Sequence, residues 1–143
     1  MIKIHSNIII GNLCELQQII TNVSYIINCH HNYSQLSNHP NYLNLIINNI
    51  NYETLNLLIQ VYDFINNKIL LNQNIFLLSD TGLNESLFIG MFFLMKFHNA
   101  NYQTIYYNIA FNNRIYPYEY YASLTYFEPH ILKLYIHENM DLS

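Results

Sequence analysis

Charged side chains are scarce in this chain, and that scarcity excludes more than any single motif does. They make up 10% of the residues, with five Lys and Arg against nine Asp and Glu and a net charge of −4 with His neutral. Affinity for a phosphate backbone comes from clustered basic side chains, so a nucleic-acid partner is not expected. Gly and Pro number three each, and no linker, charge run or repeat interrupts the chain. Two cysteines, Cys14 and Cys29, are too few for a disulfide framework. Both sit in apolar surroundings, which predicts two buried, reduced thiols. Met1 to Asn7 hold one basic residue and no long apolar core, unlike a signal peptide. The most apolar stretch, Leu87 to Phe97, is about half the length needed to span a bilayer. These absences predict a soluble, intracellular, cytoplasmic protein without membrane contact.

What is present is apolar: hydrophobic residues are 52% of 143. That suffices for a single domain, 1–143, around one continuous core. Asn, Tyr, Ser and Gln take the place of charge on the surface, a bias that suits an AT-rich genome. In an Asn-rich chain the acceptor patterns Asn22-Val23-Ser24, Asn32-Tyr33-Ser34 and Asn84-Glu85-Ser86 arise by chance.

Apolar runs alternate with helical periodicities. Ile8-Ile9-Ile10 reads as a buried strand that ends in a turn at Gly11-Asn12. Leu13 to Thr21 reads as a short helix, Val23 to Asn28 as a strand, Cys29 to Asn41 as a loop, and Tyr42 to Ile47 as a strand. Glu53 to Leu71 has apolar residues at Leu55, Leu58, Ile59, Tyr62, Ile65 and Ile69, one face of a helix that Asn51 or Thr54 caps. Asn74 to Leu78 is an apolar run of strand length, followed by a polar loop, Ser79 to Glu85, and an apolar helix, Ser86 to His98. Asn101 to Asn112 and Glu119 to about Glu138 complete the helices, with breaks at Pro117 and Pro129. This order predicts an α/β domain with a central, mostly parallel sheet flanked by helices. The loop at Ser79 joins a buried strand to a buried helix, the place where such folds bind ligands.

The same order, from Ile4 to about Leu132, resembles the small, atypical dual-specificity protein phosphatases. The resemblance rests on Ile8-Ile9-Ile10-Gly11-Asn12, Tyr25-Ile26-Ile27-Asn28-Cys29, Tyr42-Leu43-Asn44-Leu45, Asp63-Phe64-Ile65, Phe92-Phe93-Leu94-Met95-Lys96-Phe97 and Phe127-Glu128. No one of these is specific; their order and spacing together are. It implies the cysteine-dependent phosphatase fold. The active loop of that family, His-Cys-x-x-Gly-x-x-Arg-Ser, falls on Leu78-Ser79-Asp80-Thr81-Gly82-Leu83-Asn84-Glu85-Ser86. Gly82 and Ser86 are kept, whereas Ser79 stands at the Cys position and Glu85 at the Arg position. The general-acid Asp falls on Asn49.

Each change removes a piece of chemistry. The family's cysteine attacks phosphorus as a thiolate, whereas Ser79 is an alcohol with no adjacent base in sequence. Arginine offers a bidentate fork to phosphoryl oxygens, whereas Glu85 reverses that charge and Asp80 adds another. Asn49 has no acidic proton to give a leaving group. The resemblance therefore implies a catalytically inactive pseudophosphatase with no catalytic residue, metal or cofactor. The lost arginine extends the defect to phosphate recognition, so the expected mode of action is protein contact as a decoy, scaffold or regulator in phosphorylation signalling. The partner has no identity in the sequence; self-association as a homodimer is one form of it. Small size and composition suit a virus, poxvirus-like, acting in host cytoplasm, or a microbe.

Competing readings name their own residues. A hydrolase is the alternative class: a residual phosphatase that uses Ser79, or an aspartic protease through Asp80 in Asp80-Thr81-Gly82. The protease requires an all-β dimer with this motif near its start, and here the motif lies past the middle. Cys29-His30-His31 with His39 lacks a second ligand pair at finger spacing, so solvated histidines are expected there. Tyr102, Tyr106, Tyr107, Tyr116, Tyr118, Tyr120, Tyr121 and Tyr126 are partly helical core, and their exposed members would form an aromatic protein-binding surface.

Overall fold

Residues 1–29, 41–45, 51–79, 85–113 and 124–132 are described in a computed structural model. The chain divides into two compact units, Met1–Gly90 and Met91–Ser143.

Short runs rich in β-branched and aromatic residues supply most strands of the first unit. These are β1 (Ile2–His5), β2 (Ile8–Gly11), β3 (Tyr25–Asn28), β4 (Tyr42–Asn44) and β5 (Ile75–Leu78). They form one sheet in the order β1-β2-β5-β3-β4. β2, β5, β3 and β4 run parallel, and β1 pairs antiparallel with β2. Strands covered on both faces read as unbroken apolar runs, and β5 is buried at all four of its positions.

Helices supply that cover. α1 (Leu13–Ile19) places Leu16 in a cluster with Val23, Ile26, Phe76 and Leu78. α2 (Tyr52–Leu70) sets Phe64 edge-on to Tyr25 with ring centroids 5.5 Å apart, and the Lys68 ammonium lies 4.8 Å from the Tyr25 centroid. α3 (Glu85–His98) begins in this unit. At Gly90 an added Cβ would stand 2.8 Å from Cδ1 of both Ile10 and Ile4, so α3 backbone lies directly on sheet side chains there.

In the second unit, Met91 to Met95 are all buried. α4 (Tyr102–Asn113) packs on α5 (Leu124–Ile131). Glu128 Oε1 accepts a 2.7 Å hydrogen bond from the Tyr102 N–H, which satisfies a donor left open in the first turn of α4.

Asparagine does at the helix ends what glycine and serine do in other chains. Asn12 and Asn51 cap α1 and α2, each in a reciprocal capping box, with Glu15 and Thr54 respectively. Asn72 and Asn99 take left-handed φ values of 56° and 51° just past α2 and α3. Glycine favours such positions, and asparagine is the residue that tolerates them next best.

Several expectations change. The first residues, read only for signal character, form β1. Cys14 is exposed on the outer side of α1, while Cys29 is buried; the apolar surroundings of Cys14 in sequence lie on the other face of its helix. β4 ends at Asn44 instead of Ile47, since Leu45 follows it outside the strand. Pro129 lies inside α5, which tolerates one missing N–H and ends at Ile131. Pro117 lies outside the described residues.

Candidate functional site

The four parallel strands end along one edge. Gly11 pairs with Leu78, Leu78 with Asn28, and Asn28 with Asn44. The residues that follow, Asn12, Ser79, Cys29 and Leu45, therefore form a row at the carboxyl edge of the sheet, where open α/β sheets bind ligands. Backbone bonds carry the ladder into this row: Ser79 N donates to Gly11 O at 3.2 Å, Cys29 N to Leu78 O at 2.7 Å, and Leu45 N to Asn28 O at 2.7 Å. Asn28, fully buried, donates from Nδ2 to Asn44 Oδ1 at 2.9 Å.

Ser79 follows β5 directly and is fully buried. Its Oγ lies 2.6 Å from Ser86 Oγ, equally buried in the first turn of α3. That is a short hydroxyl–hydroxyl bond, and it ties the end of β5 to the start of α3. Two alcohols of equal basicity sit face to face, so neither serves the other as a general base.

Glu85 opens α3, and its Oε2 is buried without a hydrogen-bond partner. A helix N-terminus favours negative charge, which gives the carboxylate a reason to be there. Its charge is felt across the edge of the sheet. Burial pushes the Cys29 thiol well up from its ordinary value, and Glu85 pushes it further. Cys29 is therefore a protonated thiol that donates to Ile27 O at 3.6 Å. Tyr42 is pushed up to about 12, by burial first and by Cys29 second.

Of the residues singled out in sequence, Ser79, Glu85 and Ser86 come together at this edge. Asp80, Thr81, Gly82, Leu83, Asn84 and Asn49 lie outside the described residues, as do His30, His31 and His39. Among the described residues no group of His, Cys, Asp and Glu is arranged to hold a metal ion, and no helix is long and apolar enough to cross a membrane. Sequence reasoning missed that Cys29 lies within electrostatic reach of Glu85. The parallel alternation of strand and helix was the available signal, because it puts all strand carboxyl ends at one edge.

No model of a known protein family and no curated protein matches the chain. Solved structures do match. DUSP15 superposes with a TM-score of 0.75 at 20% identity, over 90% of this chain and 86% of that one. PTPMT1, solved in complex with PI(5)P, gives 0.74 at 19%, over 91% and 95%. The human tyrosine phosphatase-like serine/threonine/tyrosine-interacting protein gives 0.66 at 15%, over 99% and 97%. At such identities the likeness is one of fold. It is the fold of the dual-specificity and protein tyrosine phosphatases, with a mixed, mostly parallel sheet flanked by helices.

Proposed function

With the phosphatase fold as premise, we propose that this chain is a catalytically inactive pseudophosphatase. It acts by protein contact, as a decoy, scaffold or regulator in phosphorylation signalling, and without binding phosphate. The Ser79–Ser86 hydroxyl pair carries the reading. Where the resemblance puts a thiolate nucleophile, the chain has a buried alcohol bonded to another alcohol.

Two further observations support it. Glu85, at the position of the phosphate-clamping arginine, brings a carboxylate with a buried oxygen to the start of α3. A phosphate dianion there meets repulsion in place of a bidentate fork. Cys29 offers no substitute nucleophile, because burial and the Glu85 charge both disfavour its thiolate. Among the similar structures is one whose name describes a phosphatase-like interacting protein, and that neighbour suits a role in binding. The aspartic-protease alternative needs an all-β dimer, which the helix-flanked sheet is not.

Turnover of an aryl phosphate by the full chain, measured across several pH values, tests the proposal. The expected result is no turnover above a buffer blank. Turnover that disappears in Ser79→Ala would establish the residual-phosphatase alternative instead. Calorimetry with phosphate and with tungstate tests recognition separately: no heat of binding is expected, and micromolar affinity would show that the Glu85 repulsion is overcome.

A further inference from the structure

The helix α4 shows two unlike faces in the second unit. Tyr102, Ile105 and Ile109 are buried, whereas Gln103, Thr104, Tyr107, Asn108, Phe111 and Asn112 are exposed. Gln103, Tyr107 and Phe111 are spaced four apart and so form one ridge along the helix. Phe111 is 87% exposed and Tyr107 67%. Single exposed apolar residues are ordinary, but two aromatic rings one turn apart form a patch. The exposed face of α2 is different, because Glu53 and Asp63 stand among its amides. No residue of α4 carries a charge.

We propose that this face of α4 is the contact of a homodimer, covered by the same face of a second copy of the chain. A two-fold contact sets a surface against itself, so charge of one sign in it repels. The chain carries a net −4, yet α4 contributes none of it. The polar groups are self-complementary as well. Gln103, Thr104, Asn108, Asn112 and the Tyr107 hydroxyl each hold both a donor and an acceptor, so an identical face can satisfy every one. A partner recognised through charge would find nothing here to read. Exposed aromatics with Lys, Glu and Asp absent also match the make-up of an interface core. Nothing in the contact uses Ser79 or Glu85, so it stands or falls apart from the pseudophosphatase reading.

Sedimentation equilibrium of the full chain, from micromolar concentration upward, tests the assignment. A reversible monomer–dimer equilibrium is expected. Phe111→Lys and Tyr107→Lys should each raise the dissociation constant about tenfold or more. Circular dichroism and melting should be unchanged, because both side chains point away from the core. Tyr107 is the middle of the ridge and faces its own copy in an antiparallel pair. Tyr107→Lys and Tyr107→Asp should therefore be monomeric alone and dimeric when mixed. A wild-type chain that stays monomeric to millimolar concentration would overturn the proposal. So would a dimer whose constant neither lysine variant moves.

Discussion

Cys29 shows how far one buried residue carries. Its thiol and the Tyr42 phenol are both pushed up, so the native chain holds protons that the unfolded chain releases. Their contribution to stability is complete below the ordinary Cys value of 9.0 and Tyr value of 10.0. It is lost as pH rises toward the raised values, because the unfolded state then binds fewer protons than the native one. Melting temperature should therefore fall as pH climbs above about 9. Cys29→Ala should melt lower at neutral pH but show a shallower alkaline slope. A second test concerns backbone conformation. Asn72→Ala and Asn72→Gly both remove the side chain that accepts a 3.3 Å bond from Asn7. The difference between them isolates the left-handed φ, and urea titration should find Ala less stable than Gly by about 1 kcal/mol.

At the scale of elements, α2 depends on its first turn. Asn51 Oδ1 accepts from Thr54 N at 3.1 Å, and Thr54 Oγ1 accepts in return from Asn51 N at 3.4 Å. Asn51→Ala should cost about 1 kcal/mol in denaturant unfolding, and Asn51→Asp should restore most of it. The turn from β2 into α1 is tighter. A Cβ at Gly11 would come 2.8 Å from Cζ of Phe76 and 3.1 Å from Glu15 Oε1. Phe76 is fully buried and cannot give way cheaply. Gly11→Ala should lower stability by about 1–3 kcal/mol, a loss visible as an earlier melt. The elements themselves were legible where one period dominates. β5 is an unbroken apolar run, and α2 shows Leu55, Leu58 and Ile65 on one face. β1 was not, because Lys3 and His5 alternate with isoleucine over only four residues at the edge of the sheet.

For the whole molecule, the alternation of strands and helices was enough to reach an α/β class with a mostly parallel sheet, and the resemblance carried by the motifs along the chain supplied the phosphatase fold. Contacts were less accessible. That Cys29 feels Glu85, or that Ser79 meets Ser86, depends on strand register and on where α3 begins, and neither has a local signature. The fold-level prediction is one of reconstruction. Ser79→Cys, Glu85→Arg and Asn49→Asp together should return measurable turnover of an aryl phosphate if the scaffold still presents the loop. A folded but silent triple variant would show that the remaining loop residues have also drifted from competence.

The hydroxyl pair between β5 and α3 also bears on how the chain can evolve. A lone Ser79→Cys change would leave Ser86 facing a weakly hydrogen-bonding sulfur and place a thiol near the Glu85 charge that already disfavours ionisation of Cys29. Such an intermediate weakens a bond and sets its new thiol against a nearby carboxylate, which disfavours a thiolate. A lone Glu85→Arg change adds a clamp with nothing to attack what it holds. On the proposed reading neither single step is rewarded without the other, so the two positions would act as a ratchet: selection could keep refining the surface of this protein while the way back to chemistry stayed closed.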